Sequence, residues 1–327
     1  MPNLKLGFLQ KEDVKDIKPL IAKYDFNDYR HYGVFKRDLL NRYLFNQISD
    51  LLLKDKGSWI VVAKEGKEIV GLVSLVRLNW GKEVFDIEMA EIRHLITPKT
   101  CKDKREIINA CLSFIFQICR NEGIEHLSHR VDTSHFLTIH CLETNGFKIM
   151  DTLLTYLFNK RRHRVPQIRD LCQVRPFEEQ DLESLINMVR GAFPMSRFSL
   201  DPNIPNEKVD EFYIKWVKDC CKGLLADKVL VAERRGRAVG FLAYRVNWEL
   251  ARLSGFKICG KGLLAVSVQG RGTLPTLMKV SIQDGIPLYD FSEYDTQITN
   301  YKMIKVCQRF GFDFIRSKYT FHKWFGK

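Results

Sequence analysis

The stretch LLAVSVQGRGTLPTL, Leu263 to Leu277, decides how the rest of the chain is read. It is an apolar strand, then a short glycine turn (Gln269, Gly270, Arg271, Gly272), then the start of a helix. N–H groups freed at such a turn, with the positive end of the helix that follows, form an anion site. Glycine tolerates φ > 0 and lets a phosphate approach the backbone with no Cβ in the way. Pro275 fits the first helical turn, where its fixed φ is preorganised and its missing N–H has no intrahelical partner to serve. Arg271 adds a positive charge beside those donors. The pattern predicts a cradle for a pyrophosphate; an ordinary strand–turn–helix corner is the alternative reading of the same residues.

Working outward, the chain repeats itself. Leu6 to Val14 (LGFLQKEDV) parallels Val174 to Leu182 (VRPFEEQDL), a strand leading into an acidic helix start, with Asp13 and Asp181 168 positions apart. The hairpin signal WIVVAKEGKEIVGLVSL at 59–75 parallels VLVAERRGRAVGFLAY at 229–244, and Gly71 and Gly240 are offset by 169. Asn79-Trp80 and Asn247-Trp248 follow at an offset of 168, and Gly146-Phe147 and Gly311-Phe312 at 165. Each Gly-Phe pair is expected to close a helix and lead into a last strand, TLLTYLF or SKYTFHKW. Near-constant offsets predict a duplicated α/β (α+β) domain, each copy a mixed twisted sheet flanked by helices. The boundary is expected within 160–170, which holds the basic run KRRHR (160–164) and Pro166. A period this long is not that of a solenoid.

The copies differ where the glycine turn lies. Its counterpart, IRHLITPKTCKDKREI at 92–107, offers Lys99, Lys102, Lys104 and Arg105 but no glycine. Charge without a backbone nest attracts an anion yet holds it poorly, so the first copy is read as degenerate, retained for packing and substrate-side shape.

Composition narrows the class. A chain of 327 residues that is 45% hydrophobic and 28% charged fits about two globular domains. No basic-apolar-small leader opens it and no apolar run approaches the roughly 20 residues of a membrane helix, so a cytoplasmic protein is expected. Nine cysteines without paired CxxC spacing read as reduced thiols. The net charge of +13 fits a polyanionic small molecule such as coenzyme A or a nucleotide sugar, or simply a basic surface. A nucleic-acid partner is not expected, since no aromatic-basic module motif appears. His126 and His129 are three apart on an apparent strand, and His135 and His140 are five apart on a helix; neither pair shares a face, so no metal site is expected.

With those residues in view, 171–327 resembles the GCN5-related N-acetyltransferase (GNAT) superfamily. Gln269, Gly272 and Leu277 match its acetyl-CoA loop, with Leu274 where a small residue is usual. Asn300 to Met303, ending in Gly311-Phe312, is similar to its later motif. The family's tyrosine, general acid for the departing thiolate, falls at Cys307. Ser196-Arg197-Phe198, Asp201-Pro202, Ile204-Pro205, Phe212-Tyr213-x-x-Trp216 and Thr296-Gln297-x-x-Asn300 are similar to TDP-amino-deoxysugar N-acetyltransferases, which also carry an incomplete copy before the working one. The resemblance implies a degenerate GNAT-like domain at 1–162, an acetyl-CoA-binding GNAT domain at 171–327, and a homodimer.

On this reading Leu264, Ala265 and Val266, splayed from the next strand, bind the pantetheine arm. Gln269, Gly270, Arg271, Gly272, Thr273 and Leu274 hold the pyrophosphate, and Asn300 bonds the pantetheine amides or simply caps its helix. Glu293 and Asp295, two apart on the strand LYDFSEYDTQ (288–297), share a face, and either could take the amine's proton; Tyr294 points the other way. Cys307 would protonate the thiolate, with Tyr301 as the alternative phenol. Arg197 would pair with a nucleotide phosphate, Tyr213 and Trp216 would stack on a sugar or base, and Thr296 and Gln297 complete the acceptor site. The expected reaction is transfer from acetyl-CoA to the amine of a nucleotide-linked amino sugar. The alternatives are another small amine, or a non-catalytic binding protein on the same fold.

Overall fold

The computed structural model describes residues 4–54, 57–285 and 288–326. Its strands and helices run β1 (Leu4–Phe8), α1 (Lys18–Ala22), α2 (Arg37–Lys54), β2 (Ser58–Glu65), β3 (Glu68–Arg77), α3 (Asn79–Phe85), β4 (Met89–Ile96), α4 (Lys104–Asn121), β5 (His126–Asp132), α5 (Phe136–Thr144) and β6 (Lys148–Asn159). The second copy follows with β7 (Gln173–Pro176), α6 (Leu182–Val189), α7 (Asn206–Cys221), β8 (Lys228–Arg234), β9 (Arg237–Val246), α8 (Trp248–Ser254), β10 (Ile258–Val266), α9 (Leu274–Gly285), β11 (Phe291–Gln297), α10 (Tyr301–Arg309) and β12 (Asp313–Trp324). The duplicated, mixed α/β plan expected from the offsets is what folds.

The chain forms two compact units, 1–152 with 317–327, and 153–316. In the first the strand order is β1-β2-β3-β4-β5-β12; in the second it is β6-β11-β10-β9-β8-β7. Each copy therefore gives most of its last strand to the unit built on the other copy. Among the described residues, each unit has one parallel neighbouring pair, β4 with β5 and β10 with β11. The landmarks have local causes. Ala63↔Gly71 and Ala232↔Gly240 are equivalent pairs, each beside a register shift at the same point of its hairpin. Gly146 (φ 81°) and Gly311 (φ 71°) each end a helix left-handed. Phe147 N–H then bonds Leu142 O and Phe312 N–H bonds Cys307 O, the six-to-one closure that a glycine at this position permits.

Apolar faces of α4 and α5 cover one face of the first unit's sheet through Ile108, Cys111, Ile115 and Leu142, all fully buried. In the second unit α9 and α10 do the same through Leu277, Met278, Ile282 and Cys307. The first unit also buries an imidazole. His129, 6% exposed on β5, donates from Nδ1 to Ile92 O at 2.7 Å, and burial pushes its pKa down to about 4. Below the ordinary histidine pKa of about 6.5 the unfolded chain takes up a proton that the folded chain refuses. This contribution is therefore complete above about pH 6.5 and lost as pH falls towards 4, up to about 3 kcal/mol. Denaturant titrations across that window should show stability falling with pH. His129→Asn, which keeps an N–H for Ile92, should flatten the slope by one proton's worth.

Candidate active site

Strands β10 and β11 run side by side from Ile258↔Phe291 to Lys261↔Tyr294, and among the described residues their pairing stops there. The cause lies in the two flanking pairings. On its other edge β10 carries an extra residue between Lys261↔Tyr244 and Leu264↔Leu242, a bulge that bends it. β11 meanwhile stays in register with β6 along its whole length, Phe291↔Asn159 to Gln297↔Leu153. The strands part, and Leu264, Ala265 and Val266 remain paired with β9 while their β11-facing edge carries no ladder.

At the end of β10 the chain enters the glycine turn. Ser267 anchors it: its N–H (2.9 Å) and Oγ (3.1 Å) both donate to Val239 O. Gly270 N–H donates to Ser267 O, Arg271 N–H to Val268 O, and Thr273 closes the turn with its N–H (2.9 Å) and Oγ1 (2.6 Å) on Gly270 O. Among the described residues the N–H groups of Gln269, Gly272, Leu274 and Thr276 donate to no protein acceptor. Four uncommitted donors thus lie between the end of β10 and the first turn of α9, beside the exposed Arg271, and such groups can receive an anion.

The two glycines have different reasons. Gly272 adopts φ +91°, where only glycine is unstrained. Gly270 is buried, and a Cβ there would lie 2.2 Å from Val239 O. Leu274, the bulky residue of the motif, turns its half-buried side chain onto the core that holds Leu277 and Tyr294. One further residue went unnoticed in the sequence. Arg234, in the RRGR hairpin turn, donates from Nη1 to Gln269 O at 3.1 Å and from Nε and Nη2 to Leu171 O, bracing the turn from outside.

The equivalent segment of the first copy is spent on itself. Its strands also part, after Ile92↔His129. Lys99, however, pairs with Asp25 at 2.8 Å and its N–H bonds Lys23 O, while Lys104 Nζ bonds Lys99 O. No residue of 97–103 has a positive φ.

Glu293 and Asp295 share a face of β11, as alternation requires, and Tyr294 faces the helices, where its hydroxyl meets Ser281 Oγ at 2.8 Å. Asp295 sits where β11 has left β10. Its Oδ1 accepts a 2.6 Å bond from Thr155 Oγ1, and Thr155 in turn accepts from Arg316 Nε at 3.2 Å. Arg316 Nη2 also lies 3.7 Å from Glu293 Oε1, both side chains 12% exposed. Thr155 and Arg316 belong to the residue ranges of β6 and β12, and nothing local in the sequence marks them.

Three of the candidate side chains are buried. Cys307 is wholly buried, and burial pushes its thiol up to about 12, so it is core packing rather than a proton donor. Cys307→Ala should accordingly leave the pH-rate profile unchanged while lowering the melting temperature, through a cavity cost on the order of 1 kcal/mol. Thr296 is 3% exposed on the helix-facing side, opposite Asp295. Tyr213 is 7% exposed and held in a stack, with Phe193 at 4.0 Å on one side and Trp216 at 6.0 Å on the other. The remaining acceptor candidates, Arg197 and Gln297, are half-buried: the Arg197 guanidinium lies 4.5 Å over Phe198, and the Gln297 carbonyl accepts Asn300 N–H. Asn300 caps α10 through Met303 N–H at 3.3 Å, leaving its amide Nδ2 without a protein acceptor among the described residues. The KRRHR run is engaged within the second unit, Lys160 with Asp290 and Arg162 and His163 with Asp313. Among the described residues no helix is long and apolar enough to cross a membrane.

No family model matches the chain. It is 26% identical over 158 residues to the spore coat polysaccharide biosynthesis protein SpsD of Bacillus subtilis (strain 168). That stretch is 47% of this chain and 52% of the relative, so the match spans about half of the curated protein's length. Among solved structures, a GCN5-related N-acetyltransferase from Sphaerobacter thermophilus is similar with a TM-score of 0.62 at 14% identity, over 99% of this chain and 96% of that one. A tandem GNAT protein from the clavulanic acid biosynthesis pathway gives 0.58 at 13% identity over 99% of both chains. A GCN5-related glucosamine N-acetyltransferase region of a fungal multi-domain β-N-acetylglucosaminidase gives 0.66 at 13% identity, over 99% of this chain and 38% of that one. With its bulged and parted central strands repeated in both units, this chain has the fold of the GCN5-related N-acetyltransferases, carried twice.

Proposed function

We propose that the second copy binds acetyl-CoA and transfers its acetyl group to the amine of a nucleotide-linked amino sugar. The observation that carries the reading is the parting of β10 from β11 above a turn with four uncommitted N–H groups. Gln269, Gly272, Leu274 and Thr276 N–H would receive pyrophosphate oxygens, with Gly270 and Thr273 shaping the turn and Arg271 adding charge. The open edge of Leu264, Ala265 and Val266 would accept the pantetheine arm as an added strand, and Asn300 Nδ2 would donate to it. Bound there, acetyl-CoA supplies the acyl thioester.

Asp295 is the proton acceptor in this reading. Thr155 fixes one of its oxygens, and the residue is exposed on the strand just beyond the β10 pairing. As the amine nitrogen forms its bond to the acyl carbon and the carbon–sulfur bond breaks, the amine's proton passes to Asp295 directly or through water. Tyr301, 68% exposed at the first position of α10, is the phenol placed to return a proton to the sulfur. Glu293, paired with Arg316, holds the cluster's charge balance. Arg197 and Trp216 would meet the nucleotide part of the acceptor. The sugar class rests on the resemblance of the Arg197–Trp216 segment and on the match to SpsD, whose name concerns polysaccharide biosynthesis.

Incubation with acetyl-CoA and a panel of TDP- and UDP-amino sugars, read by mass, tests this. A single-acetyl gain on at least one sugar is expected. No product from any sugar, with coenzyme A bound, removes the acceptor class. No thermal shift from coenzyme A removes the enzyme reading altogether.

A further inference from the structure

The second unit contains a cavity of about 380 Å³ between the loop after α6 and the first two turns of α7. Gly191, Phe193, Pro194, Ser199, Asn206, Val209, Asp210 and Tyr213 form its walls. Its volume falls in the range of small-molecule sites, about 300–1,000 Å³. Phe193, Tyr213 and Val209 give it an apolar side, and the Phe193–Tyr213 stack (4.0 Å, 23° between planes) fixes that wall. Ser199 Oγ donates to Phe193 O at 2.7 Å and pins the loop that carries the ring.

The polar side has an acceptor left over. Asp210 Oδ1 takes the Gly191 N–H at 2.8 Å, and among the described residues its Oδ2 receives no hydrogen bond. Asn206, exposed at the first position of α7, adds an amide. Among the described residues no lysine or arginine lines the cavity, so a phosphate would meet a carboxylate with no cation in the lining to offset it. A hydroxyl-rich ring meets the opposite situation, since its O–H groups donate to Asp210, its oxygens accept from Asn206, and its C–H face lies on the aromatic wall. We propose that this cavity binds the amino-hexose ring of the acceptor, with Asp210 and Asn206 as its polar contacts and Phe193 as its apolar one. The inference rests on the amino-sugar reading above and names where the glycone sits.

The test separates the two. Saturation-transfer NMR with methyl glucosaminide, in the absence of acetyl-CoA, should show ring-proton transfer in the wild-type protein. Asp210→Asn, which still accepts from Gly191, should weaken binding about tenfold or more, and Asn206→Ala more modestly. Phe193→Ala should abolish transfer, and its coenzyme A-induced thermal shift checks that it is folded. Inorganic phosphate at equal concentration should not compete. If acetylation of an amino sugar proceeds while Asp210→Asn leaves its KM unchanged, the cavity assignment falls and the enzyme stands. If the glucosaminide binds in an Asp210-dependent way but no sugar is acetylated, the cavity stands and the activity falls. Competition by phosphate would overturn the proposal.

Discussion

Gly270→Ala should cost the protein both stability and coenzyme A. The added Cβ would stand 2.2 Å from Val239 O and 2.9 Å from Val266 Cγ1. Neither neighbour is free to move. Val239 O already receives two bonds from Ser267, and Val266 ends the strand that feeds the turn. Relief must come from the turn itself, and there Gly270 O holds both donors of Thr273. Overpacking of this kind costs typically about 1–3 kcal/mol, and a backbone contact belongs at the upper end. Shifting the turn would displace the four uncommitted N–H groups, so calorimetry should find coenzyme A affinity reduced by well over tenfold, with the melting temperature lowered in the same variant. Gly272→Ala makes a useful comparison. It strains a left-handed residue by about 1–2 kcal/mol but leaves the contact with Val239 intact, so it should be the milder change in stability. Unchanged affinity in Gly270→Ala would detach the turn from the cofactor.

The second large effect separates two carboxylates on one strand face. Asp295→Asn should lower kcat by about 10²- to 10⁴-fold with little change in melting temperature, because it removes a proton acceptor and leaves a side chain of the same shape beside Thr155. Glu293→Gln should do the reverse. It leaves the Arg316 guanidinium, 12% exposed, facing a neutral amide where it faced a carboxylate, while its Nε bond to Thr155 stays, and weakening such a charge-assisted contact costs on the order of 1–3 kcal/mol. Activity measured well below the melting temperature of that variant should fall far less than in Asp295→Asn. Were Glu293→Gln the variant that loses turnover while staying folded, the roles assigned here would be exchanged.

The sequence carries the architecture because the duplication marks it at fixed intervals. The Ala63↔Gly71 and Ala232↔Gly240 pairs, and the two helix-ending glycines, are local requirements that each copy must meet in the same place. The glycine turn is legible for a similar reason, since φ +91° at Gly272 admits no other residue comfortably. Gly270 was legible as glycine but not in its cause, because Val239 O comes from a different hairpin strand. Cys307 carries two signals at once, its place in a motif and its position four after Met303 on the inward side of an amphipathic helix, and only the second is local packing. Thr155 and Arg316 were invisible altogether. Thr155 meets Asp295, and Arg316 meets Thr155 and Glu293, only through the placing of strands that no short window of sequence contains. The same holds for the last strands of the two copies: both are β-prone, and nothing within either says which sheet will take it.

That last point has a consequence for how the protein can be made. Strands β1 to β5 leave the ribosome early, yet the sheet they form lacks its outer member until Ser317–Trp324 has been translated. The early product must wait with an open flank while residues 133–316 are made, the circumstance in which nascent chains depend on chaperones. It also ties the duplicates together in evolution. Deleting either copy would strip most of a strand from the sheet built on the other.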